Sequence, residues 1–174
     1  MQDKEEPGLI AQSLSGDKEA YGQLVDRYKT AIYYHCFAIL HDEDAAEDIA
    51  QETFITAYYQ LKKYNANFKF STWLFKISTN KCLNYRRQKA KQLPANDNLF
   101  DSIVSTGPTP EEEIERTELK EAVARLESKY RAVVSLYYWQ GLAYKEIAIA
   151  MDVPINSVRV WLLRAKQQLR KELS

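Results

Sequence analysis

Apolar residues recur at steps of three and four along most of the chain, which is the spacing that the buried face of an α-helix requires. The first such pattern runs from Lys18 to about Leu40. A second opens at Asp42 or Asp44, either of which can cap a helix start, and continues to Leu61. No stretch as long as a strand alternates strictly between apolar and polar residues. The pattern therefore predicts an all-α protein.

Two interruptions divide the helical pattern. The tract 64–70 breaks the period and predicts a loop, after which a third helix is expected from near Ser71 to about Gln92. Residues 93–110 contain three prolines among Asn, Ser, Thr and Gly, a composition typical of a linker. We therefore expect two small helical domains, at 1–92 and 111–174, joined by a flexible linker.

Four helical patterns make up the second domain. They run from Thr109, as the N-cap, to about Glu127, from Ser128 to Gln140, from Tyr144 to Met151 and from Pro154 to Leu173. Gly141 is placed to end the second of them. Only two residues separate the last two patterns, and a short helix, a tight turn and a longer helix form a helix-turn-helix, which presents its second helix to the DNA major groove.

Charge is distributed in blocks along this chain of 174 residues, although the formal net charge is zero. Residues 41–61 carry six acids and no Lys or Arg, whereas residues 62–92 carry nine Lys or Arg and no acid. Residues 93–121 carry eight acids against two bases, and residues 142–174 carry six bases against three acids. Two basic blocks separated by acidic ones indicate two sites for a polyanion, with other surfaces for a different partner.

Several classes of protein are disfavoured by the sequence. No apolar stretch is long enough for a bilayer span and the first six residues are acidic, so we expect a cytoplasmic protein without membrane insertion. Cys36 and Cys82 lack CxxC spacing and are expected to be buried, reduced thiols. His35 and His41 have no second pair of ligands nearby, so a helix surface and a helix end are expected rather than a metal site. No catalytic constellation is evident, so neither an enzyme nor a cofactor is expected.

The helix-turn-helix pattern separates an inner from an outer set of side chains. The inner set pairs Ile147, Ala148 and Met151 with Val158, Leu162, Ala165 and Leu169. The outer set is Asn156, Ser157, Arg159, Val160, Leu163 and Arg164. Arginine can donate two hydrogen bonds to guanine, and Val or Leu can contact a thymine methyl group. A merely solvated face is the alternative, but Val160 and Leu163 favour DNA recognition, while Trp161 is expected to cover the core or contact the DNA backbone.

Seven aromatic residues and four lysines lie within residues 58–76. Aromatic faces stack on unpaired bases and lysines hold phosphates, so this mixture suits opened or single-stranded DNA. The alternative is that the rings build the core of a small domain, and we expect that of Trp73 and Phe54. For Tyr64, Phe70 and Asn80 a binding role is favoured, because the neighbouring loop is polar.

An acidic face is expected on the second helix. It lies away from the buried stripe and is formed by Asp48, Gln51, Glu52, Ile55 and Tyr59. An exposed Ile within such a face is typical of a protein-binding surface. We therefore expect this face to bind a protein and not DNA.

Two sets of motifs carry a resemblance to a known family. The run AEDIAQETF at 46–54, followed by FSTWLFKI at 70–77 and by Asn80, resembles region 2 of extracytoplasmic-function sigma factors of the sigma-70 family. The run GLAYKEIA at 141–148, with VPINSVR at 153–159 and Arg164, resembles their region 4. The resemblance implies a region 2 helical bundle and a region 4 helix-turn-helix.

The resemblance also implies partners and binding residues. Core RNA polymerase would bind through the clamp helices of its largest subunit and the flap of its second-largest subunit, and an anti-sigma factor is an expected further partner. The residues expected to bind the clamp helices are Asp48, Gln51, Glu52 and Ile55. Those expected to bind the non-template strand at the minus-ten element are Tyr64, Phe70, Lys76, Asn80 and Lys81. Those expected to read the duplex minus-thirty-five element are Asn156, Ser157, Arg159, Val160, Leu163 and Arg164.

Departures from the family pattern and one alternative function remain open at this point. Val160 and Trp161 stand where family members usually have a small polar residue and Arg, and Ile155 and Asn156 replace the usual turn residues, so the minus-thirty-five sequence recognised is expected to be unusual. The alternative is a free-standing helix-turn-helix regulator that never meets polymerase. It accounts for residues 142–174 and leaves the first hundred unexplained.

Overall fold

The computed structural model describes residues 5–92 and 110–174, and every regular element in this part of the chain is a helix, which confirms the predicted fold class. The α-helices are α1 Glu6–Leu14, α2 Lys18–Leu40, α3 Glu43–Tyr59, α4 Phe70–Gln92, α5 Pro110–Ala124, α6 Ser128–Val134, α7 Tyr144–Met151 and α8 Ile155–Leu173. A 3-10 turn at Leu61–Lys63 follows α3, and a π-helical segment at Ser135–Trp139 continues α6.

Helices α2 and α3 each begin after an aspartate that caps the first turn. The backbone N–H groups of Glu19 and Ala20 donate to Asp17 Oδ1 at the start of α2, at 2.9 and 3.1 Å. Asp42 begins α3, where its Oδ1 accepts from the N–H of Ala45 at 3.0 Å. Of the two predicted starts for this helix, Asp42 is therefore the correct one, because Asp44 already lies within the first turn.

Other boundaries differ from the sequence expectations. Helix α1 was not predicted, although Pro7 in its first turn and the buried Leu9 and Ile10 are the expected signs of a short amphipathic helix. Helix α5 ends at Ala124, before the predicted Glu127. The helix predicted from Ser128 to Gln140 changes from α to π geometry at Ser135. Thr109 and the linker lie outside the described residues, so the domain boundaries remain a prediction.

One hydrophobic core is shared by the two halves of the chain. Helix α2 supplies Leu24, Ile32, Cys36 and Ile39, each almost completely buried, and it packs against α1, α3, α4 and α6. The same cluster includes Val133 and Ile147 of the second half, and α7 packs along α4. Both domains are therefore docked on each other through apolar contacts.

A smaller cluster closes the second half. It consists of Val123 of α5, Leu126 just after that helix, Tyr130 and Val134 of α6, and Ala165 of α8, with Leu169 packed alongside. Ala165 and Leu169 were expected to face α7 and instead face α5 and α6, because α8 runs beyond the end of the shorter α7.

Both cysteines are buried and free, as expected. A hydrogen bond between the thiols of Cys36 and Cys82, and then burial, raise the pKa of Cys82, so this thiol stays protonated. His41 lies at a helix end as expected, as the C-cap of α2 with φ 51°. The expectation for His35 was wrong: it is completely buried, because the second half of the chain covers this side of α2.

The position of the α3 cap can be tested by unfolding measurements. Asp42→Ala removes the acceptor for the Ala45 N–H, and we expect a loss of about 1 kcal/mol from the free energy of unfolding in urea. Asp44→Ala is the matched control, since it removes the same charge from the same helix turn and leaves the cap intact. An equal loss in both variants would contradict the assignment.

Candidate functional site

Helix α8 presents one face to solvent and buries the other. Val158, Leu162 and Ala165 are buried at helical spacing and hold the helix against the rest of the second half. On the opposite side Val160 is 42% exposed and Leu163 57% exposed. The outer face predicted from the sequence is thus present, and it combines apolar with cationic side chains.

The first turn of α8 carries the polar part of this face. Arg159 Nη1 donates to Asn156 Oδ1 at 3.1 Å, so the amide of Asn156 holds the guanidinium of Arg159 in place. Arg164, one turn later, is exposed, whereas Ser157 is half-buried. The turn before α8 is sharp because Asp152 adopts the left-handed conformation, with φ 53°, which Asp tolerates better than most residues.

Trp161 lies at the edge of the buried stripe of α8 and packs against both hydrophobic clusters. The ammonium of Lys129 in α6 lies 5.7 Å from the centre of its ring, within reach of a cation–π contact. This position corresponds to the core-covering role expected for Trp161.

The loop before α4 is held by a compact aromatic group. The ring centroid of Tyr64 lies 5.3 Å from that of Phe70 and 5.4 Å from that of Trp73. Its hydroxyl donates to the carbonyl oxygen of Phe68 at 2.5 Å. Burial, and then the charge of Glu6, raise the pKa of Tyr64, so the hydroxyl remains a donor. Tyr64 is half-buried, with part of its ring at the surface.

Phe70 differs from the surface position expected of a base-stacking ring. It is 1% exposed and packs on Tyr28 of α2 as well as on Tyr64 and Trp73. The polar loop suggested a surface residue, but Phe70 already belongs to α4 and faces its buried side. In this conformation the buried ring of Phe70 packs under the loop and is not presented to solvent.

Basic and amide side chains line the outer side of α4. Asn80 is exposed, while Lys76 and Lys81 are half-buried. The ammonium of Lys81 lies 3.5 Å from Glu52 Oε2 on α3. The acidic face of α3 and the basic face of α4 therefore meet at this ion pair.

The acidic face of α3 is present as predicted. Asp48, Gln51 and Glu52 are exposed, and the apolar side chains among them are exposed as well, Ile55 at 57% and Tyr59 at 80%. Large apolar side chains exposed on a charged helix face are typical of a surface that another protein covers.

A cross-domain ion pair joins the loop to the helix-turn-helix. Lys69 Nζ lies 2.8 Å from Glu146 Oε1 in α7, and the other oxygen of Glu146 accepts from the N–H of Ala143 at 2.8 Å. Partial burial alone would raise the pKa of Glu146, but these hydrogen bonds and the charge of Lys69 lower it. Glu146 thus stays ionised as it caps α7 and binds the first domain.

Neither a metal centre nor a membrane helix is found in the described ranges. No group of three or more His, Cys, Asp or Glu side chains within 5–92 and 110–174 is arranged to hold a metal ion. No helix in these ranges has the length and apolar content needed to cross a bilayer.

Each half of the chain matches a model of a known protein family. Residues 24–92 match the Sigma-70 region 2 model and residues 116–169 match the Sigma-70, region 4 model. The ECF RNA polymerase sigma factor SigW of Bacillus subtilis is 35% identical over 94% of this chain and 94% of its own length. The chain belongs to the extracytoplasmic-function sigma factors of the sigma-70 family. It directs RNA polymerase to promoters and is a non-catalytic subunit of that enzyme.

Further relatives agree with this assignment. The sigma-H factor of Pseudomonas aeruginosa is 30% identical, over 95% of this sigma factor and 92% of its own length. The solved structure of CnrH with the cytosolic domain of CnrY superposes with a TM-score of 0.71 at 25% identity and covers 95% of this chain and 94% of CnrH. RpoE of Bartonella quintana, solved with the anti-sigma factor NepR, shares the fold with a TM-score of 0.73 at 21% identity, over 88% and 96% of the two chains.

The family assignment decides between the two functions left open by the sequence. A free-standing regulator has no use for region 2, and residues 24–92 are region 2 of this sigma factor. The sequence left open whether the two regions dock, and it did not predict the residues that join them, which include His35, Glu146 and Gln140. The amide of Gln140 donates to the carbonyl oxygen of Ala31 at 3.4 Å. Such contacts carry no periodic or motif signal.

Proposed function

We propose that this sigma factor binds core polymerase through the acidic face of α3, reads the minus-thirty-five duplex with α8, and captures the non-template strand of the minus-ten element with the loop before α4. The observation that carries this proposal is the outer face of α8, where arginine and exposed apolar side chains lie together on the second helix of a helix-turn-helix.

Recognition by α8 combines two kinds of contact. Arg159, held by Asn156, can donate two hydrogen bonds to the O6 and N7 atoms of a guanine, and Arg164 can make a second such contact or bind phosphate. Val160 and Leu163 can contact thymine methyl groups. A site with guanine and thymine at neighbouring positions fits this face best.

Capture of the opened strand is assigned to the loop and to α4. The surface part of the Tyr64 ring offers a stacking platform, and the exposed amide of Asn80 can hydrogen-bond a base edge. Lys76 and Lys81 are placed on the same helix to bind phosphates. Phe70 contributes only by supporting Tyr64 from the core.

Protein partners are assigned to the remaining surfaces. The carboxylates of Asp48 and Glu52, with Ile55 and Tyr59, form a face suited to basic and apolar groups of the polymerase clamp helices. The flap of the second-largest subunit would bind region 4. Because CnrH and RpoE were solved with CnrY and the anti-sigma factor NepR, we also propose an anti-sigma partner for this chain.

The polymerase contact is tested by co-purification with core enzyme. Asp48→Ala combined with Glu52→Ala removes two charges from the exposed face of α3, and we expect affinity to fall at least about tenfold, roughly 1.4 kcal/mol. Glu43→Ala with Glu47→Ala is the matched control, because it removes two charges from the side of the same helix that faces Tyr33. Equal retention of polymerase by both double variants would exclude this face.

Base readout by α8 is tested with holoenzyme on a duplex selected from a randomised library. Arg159→Ala should weaken binding to the selected minus-thirty-five sequence by about 1–3 kcal/mol, and polymerase binding should be unchanged. Asn156→Ala should give a smaller loss at the same base position, since the arginine remains but is no longer held. Lys171→Ala, which removes a charge from the last turn, should weaken selected and scrambled duplexes equally. If Arg159→Ala also weakens both duplexes equally, Arg159 does not read a base.

Strand capture is tested by permanganate reactivity of thymines in the minus-ten region. Tyr64→Ala should leave duplex binding by holoenzyme intact and weaken strand opening by roughly 1–3 kcal/mol, because a stacking platform is lost. Tyr64→Phe keeps the ring and removes only the bond to the Phe68 carbonyl, so it should open DNA nearly as well as wild type. Reactivity that is unchanged in Tyr64→Ala would contradict the assignment.

A further inference from the structure

Both histidines of this chain lie where the second domain docks on the first. His35 of α2 is completely buried, and its two ring nitrogens each contact a hydroxyl from a different element. Nδ1 lies 2.9 Å from Ser135 Oγ in the π-helical segment, and Nε2 lies 2.8 Å from Thr79 Oγ1 in α4. A neutral imidazole, with one donor and one acceptor, satisfies both contacts. The edge of the ring also faces Phe75 at 5.3 Å between centroids.

His41 lies two turns further along, at the end of α2, in a corner that is rich in positive charge. Both of its ring nitrogens are buried without a hydrogen-bond partner. Arg86 of α4 and Arg131 of α6 are the charged groups that act on it. The nearest acid in sequence, Asp42, accepts from the N–H of Ala45 and lies 3.9 Å from Lys89 of α4. A proton on His41 would therefore add a third positive charge to this corner.

Arg131 places a buried positive charge near His41. It is 3% exposed, and its guanidinium donates to the carbonyl oxygen of Ala124 and to Ser128 Oγ, at 2.9 and 3.2 Å, while Nε has no partner. Burial, and then the charge of Arg86, lower the pKa of Arg131 to about 10, so it is still protonated at neutral pH. It cannot give up its charge to accommodate a protonated His41.

We propose that the contact between the two domains is an acid-sensitive latch, which is closed while His35 and His41 are neutral and opens when they are protonated. In the closed form a proton on either histidine is unfavourable. The imidazole of His35 is enclosed by apolar groups and hydroxyls, and that of His41 faces two arginines. Opening returns both rings to water, where an imidazolium is stable.

The direction of the pH dependence follows from the pKa values. Burial lowers the pKa of His35 to about 3, and burial followed by the charges of Arg131 and Arg86 lowers that of His41 to about 4, from an ordinary 6.5. Closure is thus fully stable above about pH 6.5 and loses stability as the pH falls below it. At pH 5.5 each histidine shifts the open-to-closed ratio by up to about tenfold, and both together by about a hundredfold.

The ion pair between Lys69 and Glu146, which also joins the two domains, does not respond to pH in this way. The pKa of Glu146 is lowered, so its ion pair with Lys69 persists at pH 5.5. Opening separates α7 from α4 and therefore separates Glu146 from Lys69, which belongs to the proposed strand-capturing loop. The latch itself does not depend on the proposed DNA contacts, because it is measured by conformation alone.

The test is small-angle X-ray scattering of the full chain between pH 7.5 and 5, compared with a variant carrying His35→Gln and His41→Gln. Glutamine is neutral at every pH used and keeps hydrogen-bonding capacity. We expect the wild-type radius of gyration to rise as the pH falls below 6.5, with helicity unchanged, and the variant to stay compact. An unchanged wild-type radius down to pH 5, or the same expansion in both proteins, would overturn the proposal.

Two further measurements separate opening from unfolding. The buried thiols of Cys36 and Cys82 are hydrogen-bonded to each other between α2 and α4, within the first domain. They should therefore remain unreactive toward 4,4′-dithiodipyridine while the radius rises. Exposure of the thiols over the same pH range would mean acid unfolding and would overturn the latch. If the double variant does not fold, His41→Gln alone suffices, since His41 makes no hydrogen bond that glutamine must replace. At pH 5.5 we expect the change in its open-to-closed ratio to be up to about tenfold smaller than that of the wild type. A pH profile identical to wild type would count against the proposal.

Discussion

The burial of α2 is the constraint on which the rest of the structure depends. This helix has 23 residues, and its buried positions face several directions rather than a single stripe. A helix of that kind needs neighbours on more than one side, and a domain of about 90 residues has few elements to offer. Helices α1, α3 and α4 cover part of it, and α6 with the π-helical segment covers the rest. The two sigma regions therefore share a core, and separating them exposes apolar surface.

The shared core leaves the two proposed DNA-binding surfaces unequally accessible. Helix α8 faces away from the first domain, so Arg159, Val160 and Leu163 are available in the closed form. The loop before α4 is engaged, because Lys69 is paired with Glu146 and α7 packs along α4. The proposed contact of α8 with a duplex would thus need no rearrangement, whereas the proposed strand capture by the loop would compete with contacts inside the protein.

Local features of the fold were predictable from sequence, and contacts between distant elements were not. The Asp42 cap and the apolar spacing of α2 act within a few residues, so α2, α3 and the outer face of α8 could be predicted closely, whereas the short α1 was missed. His35 was misplaced because its partners, Thr79 and Ser135, are 44 and 100 residues away. Phe70 was misplaced because it follows a polar loop but belongs to the buried side of the next helix. In both cases the burial is decided by an element that the local pattern does not contain.

Internal ion pairs engage part of the basic block that the sequence places at 62–92. Three lysines of the basic block at 62–92 are paired with acids from other elements: Lys69 with Glu146, Lys81 with Glu52, and Lys89 with Asp42. Affinity for DNA phosphates rises with the number of cations that are free to replace counterions. Each of these lysines must leave its carboxylate partner before it can bind a phosphate and add affinity. Non-specific DNA binding by the free chain is therefore weakened. If polymerase binds the face that contains Glu52, as proposed, it would compete with Lys81 for this carboxylate, so the two proposed interfaces would be coupled through a single ion pair.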